Sequence, residues 1–239
     1  MHLLDLTLET PAANLALDEA LLETAEAGEG PGNVLRLWES PNMAAIVGRS
    51  SRVDEEVDRA ECGRREIPVL RRASGGAAVV IGPGCLMYSV VLSCQEHPPL
   101  RMIGEAHRHV LGLVARALRT LLPQVDAAGT SDLAIKGRKF SGNSLRLKRD
   151  HLLYHGTLLY DFPLEAIAGC LKSPPRQPEY RAGRSHGEFV MNLPLDAAEL
   201  RSALIETWHA ESKQQAWPES RTRRLVAGRY AREEWNLQR

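Results

Sequence analysis

The chain has 239 residues, 44% of them hydrophobic, with thirty basic and thirty acidic side chains that leave a formal net charge of zero. This is enough apolar material for one substantial globular domain, and the even charge argues against a general nucleic-acid binder, which carries a marked positive excess. Met1-His2-Leu3-Leu4-Asp5 lacks the basic segment and apolar core of a secretory leader, and the apolar runs stop well short of the roughly 18 residues of a membrane span, so a cytoplasmic protein is expected.

The first element is a helix over residues 11–27, with Leu15, Leu17, Leu21 and Leu22 on its apolar side. Asn14 and Asp18 lie one turn apart on it, facing either a ligand or the surface. The runs 34–38 and 44–48, joined by a turn containing Pro41-Asn42, suggest a hairpin. Residues 54–65 are charged, with Val57 their single large apolar residue, and read as an exposed helix ahead of a strand over 67–71.

Next comes Arg71-Arg72-Ala73-Ser74-Gly75-Gly76-Ala77-Ala78-Val79-Val80-Ile81-Gly82-Pro83-Gly84. Paired arginines, a hydroxyl and paired glycines before a β-type run describe a loop whose backbone can approach an anion: glycine admits positive φ and removes the obstructing side chain, successive N–H groups form an anion-binding concavity, and arginine adds a charged clamp. A tight turn between core strands is the plainer alternative. No Walker or dinucleotide fingerprint is present. A buried strand follows over 86–92. Residues 101–122 then form the longest helical pattern, its stripe made by Ile103, Val110, Leu111, Val114, Leu118 and Leu121. His107 and His109 fall in it as structural histidines, without metal-ligand spacing.

The chemical centre is Lys136-Gly137-Arg138-Lys139-Phe140-Ser141-Gly142-Asn143, between strand-like runs at 132–136 and 152–160. A hairpin there holds the Lys139 amine over a pocket, a compact cation with three donors suited to a phosphate or a carboxylate. Lys136, Arg138, Arg146, Lys148 and Arg149 make a solvated basic loop the alternative. Residues 163–171 form a short amphipathic helix before Ser173-Pro174-Pro175. Residues 178–192, with Arg181, Arg184, Ser185 and His186, form a loop against the pocket. A helix over 196–211 and a turn at 231–235 complete the chain.

In this order, Arg-Arg-x-Ser-Gly-Gly-x-Ala-Val, Asp-Leu, Gly-Arg-Lys-Phe-Ser-Gly and His-Gly-Thr-Leu-Leu resemble the lipoate-protein ligase A family of the biotin/lipoate protein ligase superfamily, in its small form. The likeness runs from Asn14-Leu15-Ala16-Leu17-Asp18-Glu19 through Ile46-Val47-Gly48-Arg49 to Trp235-Asn236. It implies an α+β fold: a mixed, largely antiparallel sheet flanked by helices, like the catalytic domain of biotin and lipoate ligases and class II aminoacyl-tRNA synthetases. One catalytic domain over 1–239 is expected, with room for a small second sheet and without an accessory domain.

The implied activity is ATP-dependent: lipoate becomes lipoyl-AMP, and the lipoyl group passes to a lysine of a carrier such as a dehydrogenase E2 lipoyl domain or a glycine-cleavage H-like protein. By the resemblance Lys139 is catalytic, contacting the phosphate and the lipoyl carbonyl. Arg72 and the backbone of Ala77, Ala78, Val79 and Val80 hold the nucleotide, Gly75 and Gly76 shape the lipoyl tunnel, Ser74 belongs to the substrate site, and Arg49 lies at the edge of the lipoyl pocket. Ser141, Gly142, His155 and Gly156 complete the substrate site, and Asp132 positions Mg2+. A separate accessory subunit is a further expected partner.

The chain departs from the family pattern at Ala77, in place of a third glycine, at Ile81, Gly84-Cys85 and Tyr154-His155, which bears on substrate preference. One alternative is octanoyl or lipoyl transfer through a cysteine thioester, with Cys170 as nucleophile. However, Gly169-Cys170-Leu171 lacks the Pro-Cys-Gly context of such transferases, and Cys85 is explained by its glycine turn. Cys62 and Cys94 complete a set of four with neither C-x-x-C spacing nor disulfide-scaffold density. A lipoyl-binding module without catalysis is the remaining alternative.

Overall fold

A computed structural model describes residues 1–213 and 216–238. In chain order the strands and helices are β1 (His2–Asp5), α1 (Pro11–Glu26), β2 (Val34–Glu39), β3 (Ala44–Val47), α2 (Val53–Glu56), α3 (Arg59–Arg64), β4 (Val69–Arg71), β5 (Val79–Ile81), β6 (Cys85–Ser93), α4 (Ile103–Arg119), β7 (Val125–Ala128), β8 (Asp132–Ile135), β9 (Arg138–Leu147), β10 (His151–Leu159), α5 (Leu164–Cys170), α6 (His186–Phe189), α7 (Ala197–Thr207), β11 (Ser212–Lys213), α8 (Glu219–Leu225) and α9 (Glu233–Asn236). They form an eight-stranded sheet in the order β11-β1-β2-β6-β10-β9-β8-β7 and a three-stranded sheet in the order β4-β3-β5. From β2 to β7 every neighbouring pair in the large sheet is antiparallel, and the β11-β1-β2 edge is parallel. This is the mixed, mainly antiparallel α+β architecture expected.

β6 shows how the core is layered. All nine of its residues are buried, so both faces are covered and the strand reads as a continuous apolar run. Leu86, Tyr88, Val90 and Leu92 pack with Val110, Val114 and Leu118 of α4 and Leu200 and Leu204 of α7. On the other face Val91 meets Leu17, Leu21 and Leu22 of α1, while Cys85 and Met87 pack with Ile46 of β3 and Val80 of β5. Helix α1 starts where Thr10 caps the Ala13 N–H and Pro11 takes the first turn, a position that needs no donor. On α4 the stripe is buried at Val110, Leu111, Val114 and Leu118, but Ile103 and Leu121 at its ends are exposed.

Two expectations give way. β2 and β3 do not form a hairpin: β2 already has β1 and β6 on its two edges, so β3 has no free edge to join and builds the small sheet with β4 and β5. The stretch 54–65 is not one exposed helix either. It breaks between α2 and α3 at Val57, which is wholly buried and bridges to Leu171; burying that one apolar side chain outweighs helix continuity.

Candidate active site

Lys139 reaches its position through a hairpin and a bulge. β8 and β9 join at Lys136 and Gly137, both at positive φ, as a type I′ turn requires. Asp132 pairs with Gly142 and Leu133 with Ser141, but Ala134 pairs with Lys139, leaving Phe140 as an extra residue buried in the core. Such a bulge resets strand alternation, so Lys139 shares a face with Asp132 and Gly142. Its Nζ lies 2.8 Å from Asp132 Oδ1. The amine crosses Gly142, where a Cβ would stand 2.9 Å from Nζ. Asp132 Oδ2 accepts from the Tyr180 hydroxyl at 2.7 Å, and burial together with Asp132 pushes that hydroxyl well above its ordinary pKa, which keeps it a donor. The Met191 N–H donates to the Lys139 carbonyl at 2.9 Å and Arg138 Nη2 to the Val190 carbonyl at 2.8 Å. The 178–192 segment is thereby sewn to the start of β9.

The glycine loop between β4 and β5 is organised around Arg72. Its buried guanidinium donates to Ser74 Oγ at 3.1 Å and to the carbonyls of Gly75 at 3.0 Å, Ile46 at 3.2 Å and Ala77 at 2.9 Å. Burial lowers its pKa to about 10, which leaves it charged at neutral pH. Gly76 has φ +85°, and its carbonyl approaches Gly48 so closely that a Cβ there would lie 2.0 Å from the oxygen. Ser144 Oγ donates to the Gly75 carbonyl at 2.7 Å. The Ala78 N–H donates to Glu56 Oε2 at 2.6 Å.

Behind the loop lies a closed polar chain. Asp18 and Asn14 face neither a ligand nor the surface; both are buried. Asp18 Oδ1 meets Arg36 Nη1 at 2.6 Å, and its Oδ2 accepts from Ser89 Oγ at 2.7 Å. His155, opposite Ser89 in the sheet, sets Nδ1 3.3 Å from the same Oδ2 and Nε2 2.5 Å from Ser74 Oγ. A carboxylate at Nδ1 makes that nitrogen the donor, so Nε2 accepts from the Ser74 hydroxyl. Asn14 Oδ1 and the Asn14 and Leu6 carbonyls take the remaining Arg36 donors. Burial alone lifts the Asp18 carboxyl, but Arg36, His155 and Ser89 pull it below 3.8.

These parts surround a cleft of about 800 Å³. Of the residues expected in the site, Arg72, Gly76, Ala77, Ala78, Val79, Val80, Asp132, Lys139, Ser141, Gly142, His155 and Gly156 line it. Arg49, Ser74 and Gly75 are not among the lining residues: Arg49 is exposed beside the loop, its N–H donating to the Ser74 carbonyl at 2.8 Å, and Ser74 is buried against His155. The 178–192 segment contributes Pro178, Arg181, His186, Phe189 and Val190. Among the described residues no cysteine lines the cleft. Cys170 is buried at the end of α5, and burial and the neighbouring Cys170 push the Cys62 thiol up to about 12. Burial also raises the Cys85 thiol. Among the described residues no group of three His, Cys, Asp or Glu could hold a metal ion, and no helix is long and apolar enough to cross a membrane. Sequence reasoning missed Tyr180 and Glu56. The spacing of neither predicts its partner, since both contacts join segments far apart in the chain.

A glycine loop tied down by a buried arginine faces a strand-borne lysine across one cleft of a mixed α+β scaffold. Residues 10–208 match the family described as the lipoyl protein ligase A/B catalytic domain; the chain belongs to this family and is an enzyme. It is 31% identical over 84% of its length to a probable lipoate-protein ligase A of Mycoplasma pneumoniae, and spans 60% of that relative. It is 25% identical to octanoyltransferase LipM of Brevibacillus brevis, covering 96% of this chain and 95% of that one. Among solved structures it resembles a bi-partite lipoate protein ligase from Thermoplasma acidophilum, studied with its E2 lipoyl domain, at 27% identity and TM-score 0.82, over 100% of this chain and 97% of that one. A lipoate-protein ligase A bound with ATP superposes at 25% identity and TM-score 0.78, over 99% of this chain and 98% of the other.

Proposed function

We propose that the chain is an ATP-dependent lipoate-protein ligase, activating lipoate as lipoyl-AMP and transferring the lipoyl group to a lysine of a lipoyl carrier domain. The observation that carries this reading is the Lys139 amine, placed by the β9 bulge on the cleft face and 2.8 Å from Asp132. The apolar wall formed by Leu15, Ile46, Met87 and Leu159 suits an aliphatic acyl chain. The charged wall suits the reacting anions.

A carboxylate is a poor acyl donor, and bringing it to a triphosphate sets two anions against each other. Lys139, released from Asp132, donates to both and stabilises the charge that builds on the α-phosphate, while the cleft holds them in line. The lipoate oxygen bonds to the α-phosphorus as the bond to pyrophosphate breaks. The carrier lysine amine then attacks the acyl carbon, and the C–O bond to AMP breaks with loss of a proton. Arg72 acts through the loop, fixing the carbonyls so that the backbone of 77–80 faces the nucleotide. Ser141, Gly142, His155 and Gly156 complete the substrate site in the cleft, while Ser74 and Gly75 support it from within the loop and Arg49 stands beside it. A lone carboxylate with phosphate oxygens is a sufficient ligand set for Mg2+. Asp132 would hold it, and bound there the ion would neutralise phosphate charge. E2 lipoyl domains and H-like proteins are the proposed carriers, and the bi-partite relative supports a separate accessory subunit.

The LipM relative favours a second reading, octanoyl or lipoyl transfer without ATP. The cysteine-thioester form through Cys170 has against it a buried thiol outside the cleft lining. Incubation with ATP, magnesium, lipoate and an apo lipoyl domain, followed by intact mass spectrometry, separates the readings. A lipoyl mass gain that requires ATP is expected. Gain from an octanoyl thioester alone, with none from lipoate and ATP, would establish the transferase.

A further inference from the structure

Among the described residues three acidic side chains line the cleft. Asp132 is engaged by Lys139 and Tyr180, and Glu55 pairs with Arg52 at 2.8 Å near the surface. The third, Glu56, has only 7% of its surface exposed. Because the chain breaks at Val57, Glu56 is turned inward, its backbone carbonyl accepting from the Lys172 N–H at 2.9 Å. Oε2 accepts from the Ala78 N–H at 2.6 Å. Among the described residues no hydrogen bond or ion pair engages Oε1. Oε1 is open to the cleft, where its acceptor capacity is available to a ligand donor.

The surroundings identify that donor. Val79 on β5, Ile167 on α5 and Leu171 just after it line the cleft with Glu56, giving it an aliphatic side, while the buried Arg72 guanidinium acts on its charge from the loop. The Lys139 amine comes from the β8–β9 hairpin, and the proposed phosphates belong with it. A flat base buries well between aliphatic side chains, whereas a ribose brings several hydroxyls that each need a partner. We propose that Glu56 selects adenine, Oε1 accepting a hydrogen bond from the 6-amino group of the purine while Oε2 keeps the Ala78 N–H. This rests on the nucleotide-binding reading of the cleft.

The arrangement has a chemical signature. The Ala78 N–H demands an acceptor, so in Glu56→Gln the amide oxygen must face Ala78 and the NH2 must face the base. A donor then replaces an acceptor at the point where adenine presents a donor and hypoxanthine a carbonyl.

Equilibrium binding of ATP, ITP and purine-riboside triphosphate to the full chain and to Glu56→Gln tests this. The wild type should bind ATP at least about tenfold more tightly than either analogue, since a hydrogen bond to a charged group is of that size. In Glu56→Gln the ATP-to-ITP ratio should fall at least about tenfold, with an unchanged melting temperature. An unchanged ratio, or equal weakening of ATP and ITP, would overturn the assignment while leaving the nucleotide site standing. So would wild-type protein that binds purine-riboside triphosphate as tightly as ATP, a result independent of how the variant folds. Wild-type protein that binds no nucleotide would overturn the underlying reading and this one with it.

Discussion

Two carboxylates of the cleft region sit in opposite settings. Asp18 is sealed behind the sheet with Arg36, His155 and Ser89, and the side-chain exposures of the Arg36–Asp18 pair are 0% and 2%. Asp132 stands at the cleft with Lys139, whose side chain keeps 26% of its surface open. A buried pair in which each charge has several partners is a fixed scaffold: removing one member strands the other. A half-open pair is a store of charge, because solvent or a ligand can replace either partner at small cost. The first kind shapes the glycine loop through His155 and Ser74, and the second is available to chemistry.

The sharpest way to break this contrast is at Lys139. Lys139→Ala should lower lipoyl transfer by at least about 100-fold, the scale for losing one preorganised donor, with a melting temperature near wild type because Asp132 keeps the Tyr180 hydroxyl as its donor. Asp18→Asn should do the reverse. It leaves Arg36 buried without its counter-charge and should cost about 3–5 kcal/mol of unfolding free energy, measurable by urea titration.

The same residue sets an acid limit. Its carboxyl is lifted by burial but pulled lower by Arg36, His155 and Ser89, so the folded value lies below 3.8. The stability it contributes is complete above the unfolded value and is lost as pH falls through the folded one. Unfolding free energy should therefore decline below about pH 4 in the wild type, and Asp18→Asn should flatten that segment of the profile. Tyr180→Phe should cost about 1 kcal/mol by removing one hydrogen bond to Asp132. Cys170→Ser should leave turnover at the wild-type level; a folded variant without turnover would restore the thioester mechanism.

What the sequence shows about this site follows from how local each feature is. The glycine loop and the Lys139 hairpin are short stretches whose chemistry lies in consecutive residues, and both appear where the motifs place them. The strand character of β9 is obscured because its cleft face is polar and its bulge breaks alternation, so Arg138, Arg146 and Lys148 resemble a basic loop. Glu56 is hidden in a charged run whose helix breaks only because Val57 finds Leu171. Pairing of β3 with β4 and β5 depends on which edges of β2 are already taken, and no turn signal at Pro41-Asn42 carries that information. Asp18 and Arg36, 18 positions apart, look like surface charges until the sheet closes over them.

The most direct test of the proposed chemistry is lipoate-dependent exchange of labelled pyrophosphate into ATP, measured for the wild type and Lys139→Ala without any carrier. Exchange that requires lipoate and disappears in the folded variant is expected, because in the proposed reaction activation precedes transfer and runs through the Lys139 amine. Exchange that persists in Lys139→Ala at the wild-type rate would contradict the central role given to that lysine.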